Sequence, residues 1–501
     1  MRPGASGTFM MLPMGMRIID KLIGLIEEEM NVVGAEKLSM PVLHQKELWT
    51  KTGRWDSTGS ELWRLKDRKG REFCLAPTHE EMFTKLIADS VRSDVELPIS
   101  LYQIGPKYRD EARPRFGLLR GREFWMKDAY SFHSTEEDAI AYYHEMEQAY
   151  RRLFARLGRQ TLQVEADSGG IGGSLTHEFQ MLAQDVGEDV VLVCPNCEYA
   201  ANEEQADSVR SVNDDRSRSP IATHAVVVDD VRVGSLLCAS DREPNLVRLR
   251  AALGSAADVE TRTPIDDDDD DDGLERWPLL VDDDVWADAQ SDVEAFQAPL
   301  RGSFTLARAG DQCGRCESAP LETRRSIEVG QIFYLGEKYS SVFGATTGRE
   351  DEGTLAPMFM GCYGIGISRI LAALVESSPD AGRPAWPAVV APYVATIVTA
   401  GGKSADRFRD VATELSQDAE KYRTLAGEVV LDDRWDAGLG MKLTESELIG
   451  YPFTVIVGKT FEKEGRVEIR DALTGETSAM EPRDAFEYVN REYERRISVG
   501  A

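Results

Sequence analysis

The sequence is short of positive charge: 58 Lys and Arg stand against 87 Asp and Glu, a net of −29. That balance argues against a protein whose whole surface binds nucleic acid through charge. Long apolar runs are also missing. None reaches 18 residues, so nothing reads as a membrane span. The best candidate, AWPAVVAPYVATIVTAGG at 385–402, is broken by Pro387 and Pro392 and reads as a linker entering a buried strand. Cysteine is scarce, with seven in 501 residues. Four of these form two C-x-x-C pairs, which excludes a disulfide framework and suits a reducing compartment. The N-terminal MRPGASGTFMMLPMG is interrupted by Pro13 and Gly15 and shows no cleavage site, so no targeting signal is expected in it.

The acidity is uneven. Residues 204–310 hold 24 acidic against 11 basic side chains, including seven consecutive aspartates at 266–272. Such runs are solvated. Against this background, seven cations crowd between positions 107 and 127: Lys107, Arg109, Arg113, Arg115, Arg120, Arg122 and Lys127. An arginine fork matches phosphate or carboxylate oxygens. Screening hides distant charge beyond about 8 Å, so the local cluster decides, and it predicts a polyanion site.

The length allows two or three domains. Apolar spacing predicts a helix over 15–35 that stops at Gly34, then a strand KLSMPVLH at 37–44 with Pro41 at its edge. A hairpin is expected over 62–77 with its turn at Lys69-Gly70, and a helix from Thr78. Strands at 100–109 and 122–132 should bracket the loop RPRFGLLRG, and a helix should span about 135–157. This is an α+β pattern on an antiparallel sheet. Residues 204–310 lose the regularity and look inserted. From Pro392 the texture alternates: strand 393–399, helix 404–421, strand 427–431, helix 441–449 and a final strand FTVIVGK at 453–459. The expected division is 1–203 and 311–387 for one core, 204–310 for the insertion and 388–501 for a small α/β domain.

A second signature, MGCYGIGISRILAALVE at 360–376, runs from a glycine-rich turn into an amphipathic helix bearing Arg369. Amide groups at such a start bind anions. The pattern alone is weak, and a tight turn before a core helix is the plain alternative. Together with YRDE at 108–111 and REF at 122–124 it becomes specific. The sequence resembles the bacterial-type prolyl-tRNA synthetases, a class II aminoacyl-tRNA synthetase family. The stretches LWTKTGRW, PTHEE, RPRFGLLRGREFWMKDAYSF, ADSGGIGGSLTHEF, RRSIEVGQIFYLGEKYS and DDRWDAGLGMKLTESELIGYP carry the resemblance, which covers all but about 204–310.

The resemblance implies an α+β catalytic domain, a C-terminal anticodon-binding domain with a mixed sheet, and an enzyme that joins L-proline to tRNA with ATP and Mg²⁺. It implies that Arg109 and Arg369 are catalytic. ATP would meet Arg109, Glu111, Phe124, Gly364, Gly366 and Arg369. Proline would meet Thr78, Glu80, Arg109, Trp125, His177 and Phe179, with a structural histidine as the equal alternative for His177. Arg113, Arg115 and Arg120 would meet the tRNA acceptor end, unless they are a solvated loop. Cys362 is expected to be a small lining residue. Cys194, Cys197, Cys313 and Cys316 could close one structural zinc site; the alternative is four free thiols. The family also implies a cytoplasmic homodimer, or an organelle enzyme if more chain precedes residue 1. The short, acidic insertion is expected not to edit mischarged tRNA. The rival class is a synthetase-like binding protein without catalysis.

Overall fold

The computed structural model describes residues 1–498 apart from 168, 184–186, 210–219, 229–230, 255–258, 263–277, 287–288, 290–298, 349–354, 379–382 and 402–404. The first long helix, Pro13–Val32, opens with proline at its first position and turns Ile18, Ile19, Leu22, Leu25, Ile26 and Met30 inward. It ends before Gly34, whose φ of +70° favours a residue without Cβ. The expected strand at 37–44 is instead divided. Glu36–Lys37 pairs parallel with Ile99–Tyr108, whereas Leu43–Gln45 joins a separate three-stranded sheet with Arg64–Lys66 and Glu72–Leu75. Pro41 lies between the two pieces, where no ladder donor is needed.

The central sheet has nine strands. Its middle is Glu322–Gly336, Phe359–Gly366, Glu123–His133 and Ile99–Tyr108, each antiparallel to the next. On its other edge, Glu322–Gly336 meets first Asp189–Val193 and then Leu175–Leu182. Side chains alternate across these strands. One face, with Ala129, Ile332, Tyr363 and Ile365, packs against the helices Pro13–Val32, Glu136–Arg156 and Ile367–Glu376. The opposite face, with Tyr130, Phe132, Phe333, Met360 and Cys362, takes Phe83 and Ile87 of the helix Glu80–Ser90 and Tyr339 of Lys338–Phe343. The upper part of that second face is left open.

Within the segment expected to lose regularity, the described residues include regular elements. Val259–Arg262, Ile221–Val228, Val231–Ala239, Leu279–Asp282 and Leu300–Gly302 form one sheet in that order, with the helix Leu246–Leu253. Its apolar positions are few but concentrated: Val226, Leu236, Cys238, Leu249 and Leu280 make a core. The aspartate run 266–272 lies outside the described residues.

The C-terminal sheet is mixed. Val429–Leu431, Ala395–Thr399 and Phe453–Val457 run parallel, and Val467–Asp471 and Thr477–Met480 add antiparallel strands. Phe453–Val457 is therefore central and not final. Glu428 holds this unit to the first helix: Arg17 Nη2 and Lys21 Nζ donate to its two oxygens at 2.8 and 2.5 Å.

Candidate active site

A cavity of about 350 Å³ opens on the uncovered face of the central sheet. Its floor is set by strand parity. In Glu123–His133 the even positions Phe124, Met126 and Asp128 reach it, and Gly364 and Gly366 leave room above the neighbouring strand. The loop after Tyr108 brings Arg109, Glu111 and Arg120, and the start of Ile367–Glu376 brings Arg369.

Among the cations that line the cavity, Arg109 is the least satisfied. Its guanidinium lies 5.2 Å from the Phe124 ring and, among the described residues, makes no hydrogen bond or ion pair. Enclosure and the neighbouring Arg369 both hold its pKa below the ordinary arginine value. Two cations converging on one space favour an anion there. Arg369 is fixed more firmly: Nη1 donates to Glu328 Oε2 at 2.8 Å and Nε to the Leu119 carbonyl at 3.3 Å. Burial pushes its pKa down, but Glu328, with Asp189 and Glu188, raises it overall. Glu111 accepts from Arg120 Nε at 2.7 Å and from the Arg113 amide at 3.0 Å. Those donors hold its carboxyl below the usual range.

The far end of the cavity is built on the helix Glu80–Ser90. Glu80 is fully buried, accepts from Arg54 Nη1 at 2.9 Å and lies 2.8 Å from Thr78 Oγ1. The Cys362 thiol donates to Glu80 Oε1 at 3.5 Å. Burial, then Glu80, pushes that thiol well above its ordinary pKa, so it is a small neutral wall. Behind Thr78, Tyr130 OH accepts from the His79 amide at 2.9 Å and donates to Asp128 Oδ2 at 3.1 Å. Burial opposes the charge on Asp128, but Lys107 at 2.7 Å and His79 hold its carboxyl below the usual range. A third group of carboxylates lies along Glu322–Gly336. Burial and then Glu328 raise the pKa of both Asp189 and Glu178, the latter to about 7. Asp189 and Glu328 line the cavity, and such crowding of oxygens suits a hard divalent cation.

Of the residues expected from sequence, Thr78, Glu80, Arg109, Glu111, Arg120, Phe124, Gly364, Gly366 and Arg369 share this cavity. Trp125, His177 and Phe179 do not. They occupy odd positions and turn to the helical face. Trp125 packs on the main core, His177 Nδ1 is 2.7 Å from Tyr143 OH, and the Phe179 ring is 5.1 Å from Tyr150. Arg113 and Arg115 stay exposed in the loop. Met126, Asp128, Phe333, Gln331 and Glu328 were missed. Counting in twos from Phe124 finds the first two; nothing in residue type alone marks the others.

The two C-x-x-C turns, one before and one after residues 204–310, meet in space. Cys194 Sγ lies 3.6 Å from Cys316 Sγ and Cys197 Sγ 3.7 Å from Cys313 Sγ, with all four sulfurs within 4.8 Å of one another. A tetrahedral zinc with Zn–S near 2.3 Å separates its sulfurs by about 3.8 Å, so the thiols fit that ion.

A largely antiparallel sheet whose cavity receives one arginine from a loop and a second from a glycine-led helix has the features of a class II aminoacyl-tRNA synthetase core. Residues 63–378 match the family described as tRNA synthetase class II core domain (G, H, P, S and T), and residues 392–492 match the anticodon binding domain family. The chain is 38% identical to a proline–tRNA ligase of Desulforamulus reducens over 97% of this chain and 92% of that one. It is 37% identical to that of Acidithiobacillus ferrooxidans over 98% and 94%. The chain belongs to the proline–tRNA ligase family. Its fold is similar to that of prolyl-tRNA synthetase from Cryptosporidium parvum complexed with halofuginone and AMPPNP, with a TM-score of 0.64 at 12% identity over 100% of this chain and 75% of that one.

Proposed function

We propose that this cavity makes prolyl-adenylate from L-proline and ATP and then transfers proline to the 3′-terminal ribose of tRNA. In the first step a proline carboxylate oxygen attacks the α-phosphorus, and the bond to pyrophosphate breaks. In the second, a ribose hydroxyl attacks the prolyl carbonyl and AMP leaves. The observation that carries the reading is the unpaired Arg109 guanidinium between Phe124 and the Thr78–Glu80 end. There it can hold the α-phosphate and the proline carboxylate together, so that attack is effectively intramolecular. Arg369, locked by Glu328, would take the outer phosphates, and Phe124 the adenine face. Glu111 would receive the adenine amino group. Thr78 and Glu80 would receive the secondary ammonium of proline. Asp189 and Glu328 would hold the Mg²⁺ that accompanies ATP, which neutralises phosphate charge.

In this reading residues 1–203 and 311–387 form the catalytic core, 388–501 bind the anticodon end, and 204–310 take no part in either step. The loop arginines Arg113, Arg115 and Arg120 face the acceptor end. The four cysteines hold a structural zinc, and the enzyme is a cytoplasmic homodimer. Arg109→Ala and Arg369→Ala should each slow proline-dependent pyrophosphate exchange by roughly 10²-fold or more while the fold persists, because the lost contacts are strongest in the transition state. Near-normal exchange by Arg109→Ala would reject the assignment of this site.

A further inference from the structure

We propose that the N-terminal turn Gly4–Thr8 is a positioning strap for the arginine loop, acting through Gly7. Residues 1–6 are exposed, and Gly7 is buried against the loop. The Arg122 amide donates to the Gly7 carbonyl at 2.7 Å. Arg122 is the junction of the loop. Its carbonyl accepts from the Arg109 amide at 3.0 Å, and its Nε donates to the Glu111 carbonyl at 2.9 Å. One carbonyl from outside the loop thus locates the residue that locates both Arg109 and Glu111.

The approach is too close for a side chain. A Cβ on Gly7 would stand 2.9 Å from Arg122 Cγ and 3.0 Å from both Arg122 N and Pro114 Cβ. A Cβ on Gly121 would stand 3.1 Å from the Gly7 carbonyl oxygen. Gly7 also has φ of +77°, which other residues rarely adopt. The strap is itself anchored. Gly4 N donates to Thr8 O and Thr8 N to Ala5 O, each at 2.9 Å, and Phe9 and Met11 pack on the main core. Of the cavity residues the turn lies against Gly121 alone among the described residues, and it touches neither Arg109 nor Glu111, so Gly7 is a positioning residue whose effect on them passes through Arg122.

The test compares Gly7→Val, and a chain lacking residues 2–8, with the unaltered protein. Trypsin cleaves after Arg115 and Arg120, which lie in the loop, and reads its position without reference to catalysis. Both variants should be cut there several-fold faster. Their KM for ATP in pyrophosphate exchange should rise about tenfold, since small misplacements of positioning groups cost that much or more. KM for proline, whose carboxylate Arg109 also meets but whose ammonium is held by Thr78 and Glu80 away from the strap, should rise by much less, and the melting temperature should stay unchanged. Unaltered loop cleavage in both variants would overturn the strap, as would equal losses toward ATP and proline with a fall in melting temperature. The kinetic arm rests on the proposed ATP role of the loop. Faster cleavage with an unchanged KM for ATP would therefore uphold the strap and count against that role.

Discussion

Arg54 shows what a single buried cation can hold together. Its Nη1 donates to Glu80 Oε2 at 2.9 Å and to Glu81 Oε1 at 3.1 Å, with both carboxylates out of contact with solvent. Burial would lower the Arg54 pKa, but Glu80 and then Glu81 outweigh it and raise it. Removing one partner of a buried pair leaves uncompensated charge, which costs about 3–5 kcal/mol. Arg54→Met should therefore lower urea stability by about that amount, and Arg54→Lys by less. A loss within experimental error would mean that Glu80 and Glu81 find other partners. At this scale the sequence was uneven to read. Arg109, Glu111 and Arg369 sit in motifs whose chemistry is local to a few positions. Arg54 stood in a quoted stretch, LWTKTGRW, yet its partners lie 26 and 27 positions away and only the fold joins them.

Among elements, the strand Glu123–His133 decides most. Its alternation sends Phe124, Met126 and Asp128 into the cavity and Trp125 and Lys127 behind it. Expecting Trp125 at the proline pocket went against that period, although the strand itself was plain from its apolar pattern. The split of 37–44 between two sheets was not legible, since an edge strand of two residues leaves no period to count. Lys127 has a measurable consequence. It is fully buried, donates to Tyr150 OH at 2.7 Å and to the Tyr363 carbonyl at 3.0 Å, and burial lowers its pKa from 10.5 to about 7. Between those two values the unfolded chain holds a proton that the folded chain lacks, so this group's contribution to stability rises with pH through that window. Below it, the buried cation is a constant cost. Lys127→Met removes the dependence. Its melting temperature relative to the unaltered protein should therefore be highest near pH 7 and fall steadily toward pH 10. A difference that does not change with pH would contradict a neutralising Lys127.

For the whole molecule, the order of the parts was readable from texture, and the insertion was not. Its apolar residues are concentrated in a few stretches such as Ile221–Val228 and Val231–Ala239, separated by charged segments, so no continuous pattern marks them as one sheet. The C-x-x-C pairs were visible, but 119 positions separate Cys194 from Cys313, and only the return of the chain brings the four sulfurs within 4.8 Å. Tag-free protein should contain about one zinc per chain, and chelation should loosen the base of the insertion. Elemental analysis without zinc would leave four free thiols. The central claim concerns the cavity and its amino acid. The most direct measurement is ATP–pyrophosphate exchange by the purified protein with proline, alanine and cysteine in parallel. Exchange should be fastest with proline by at least tenfold, because a smaller side chain forfeits about 1–3 kcal/mol of contact. Equal exchange with all three would contradict a proline site, and no exchange with any of them would contradict a synthetase.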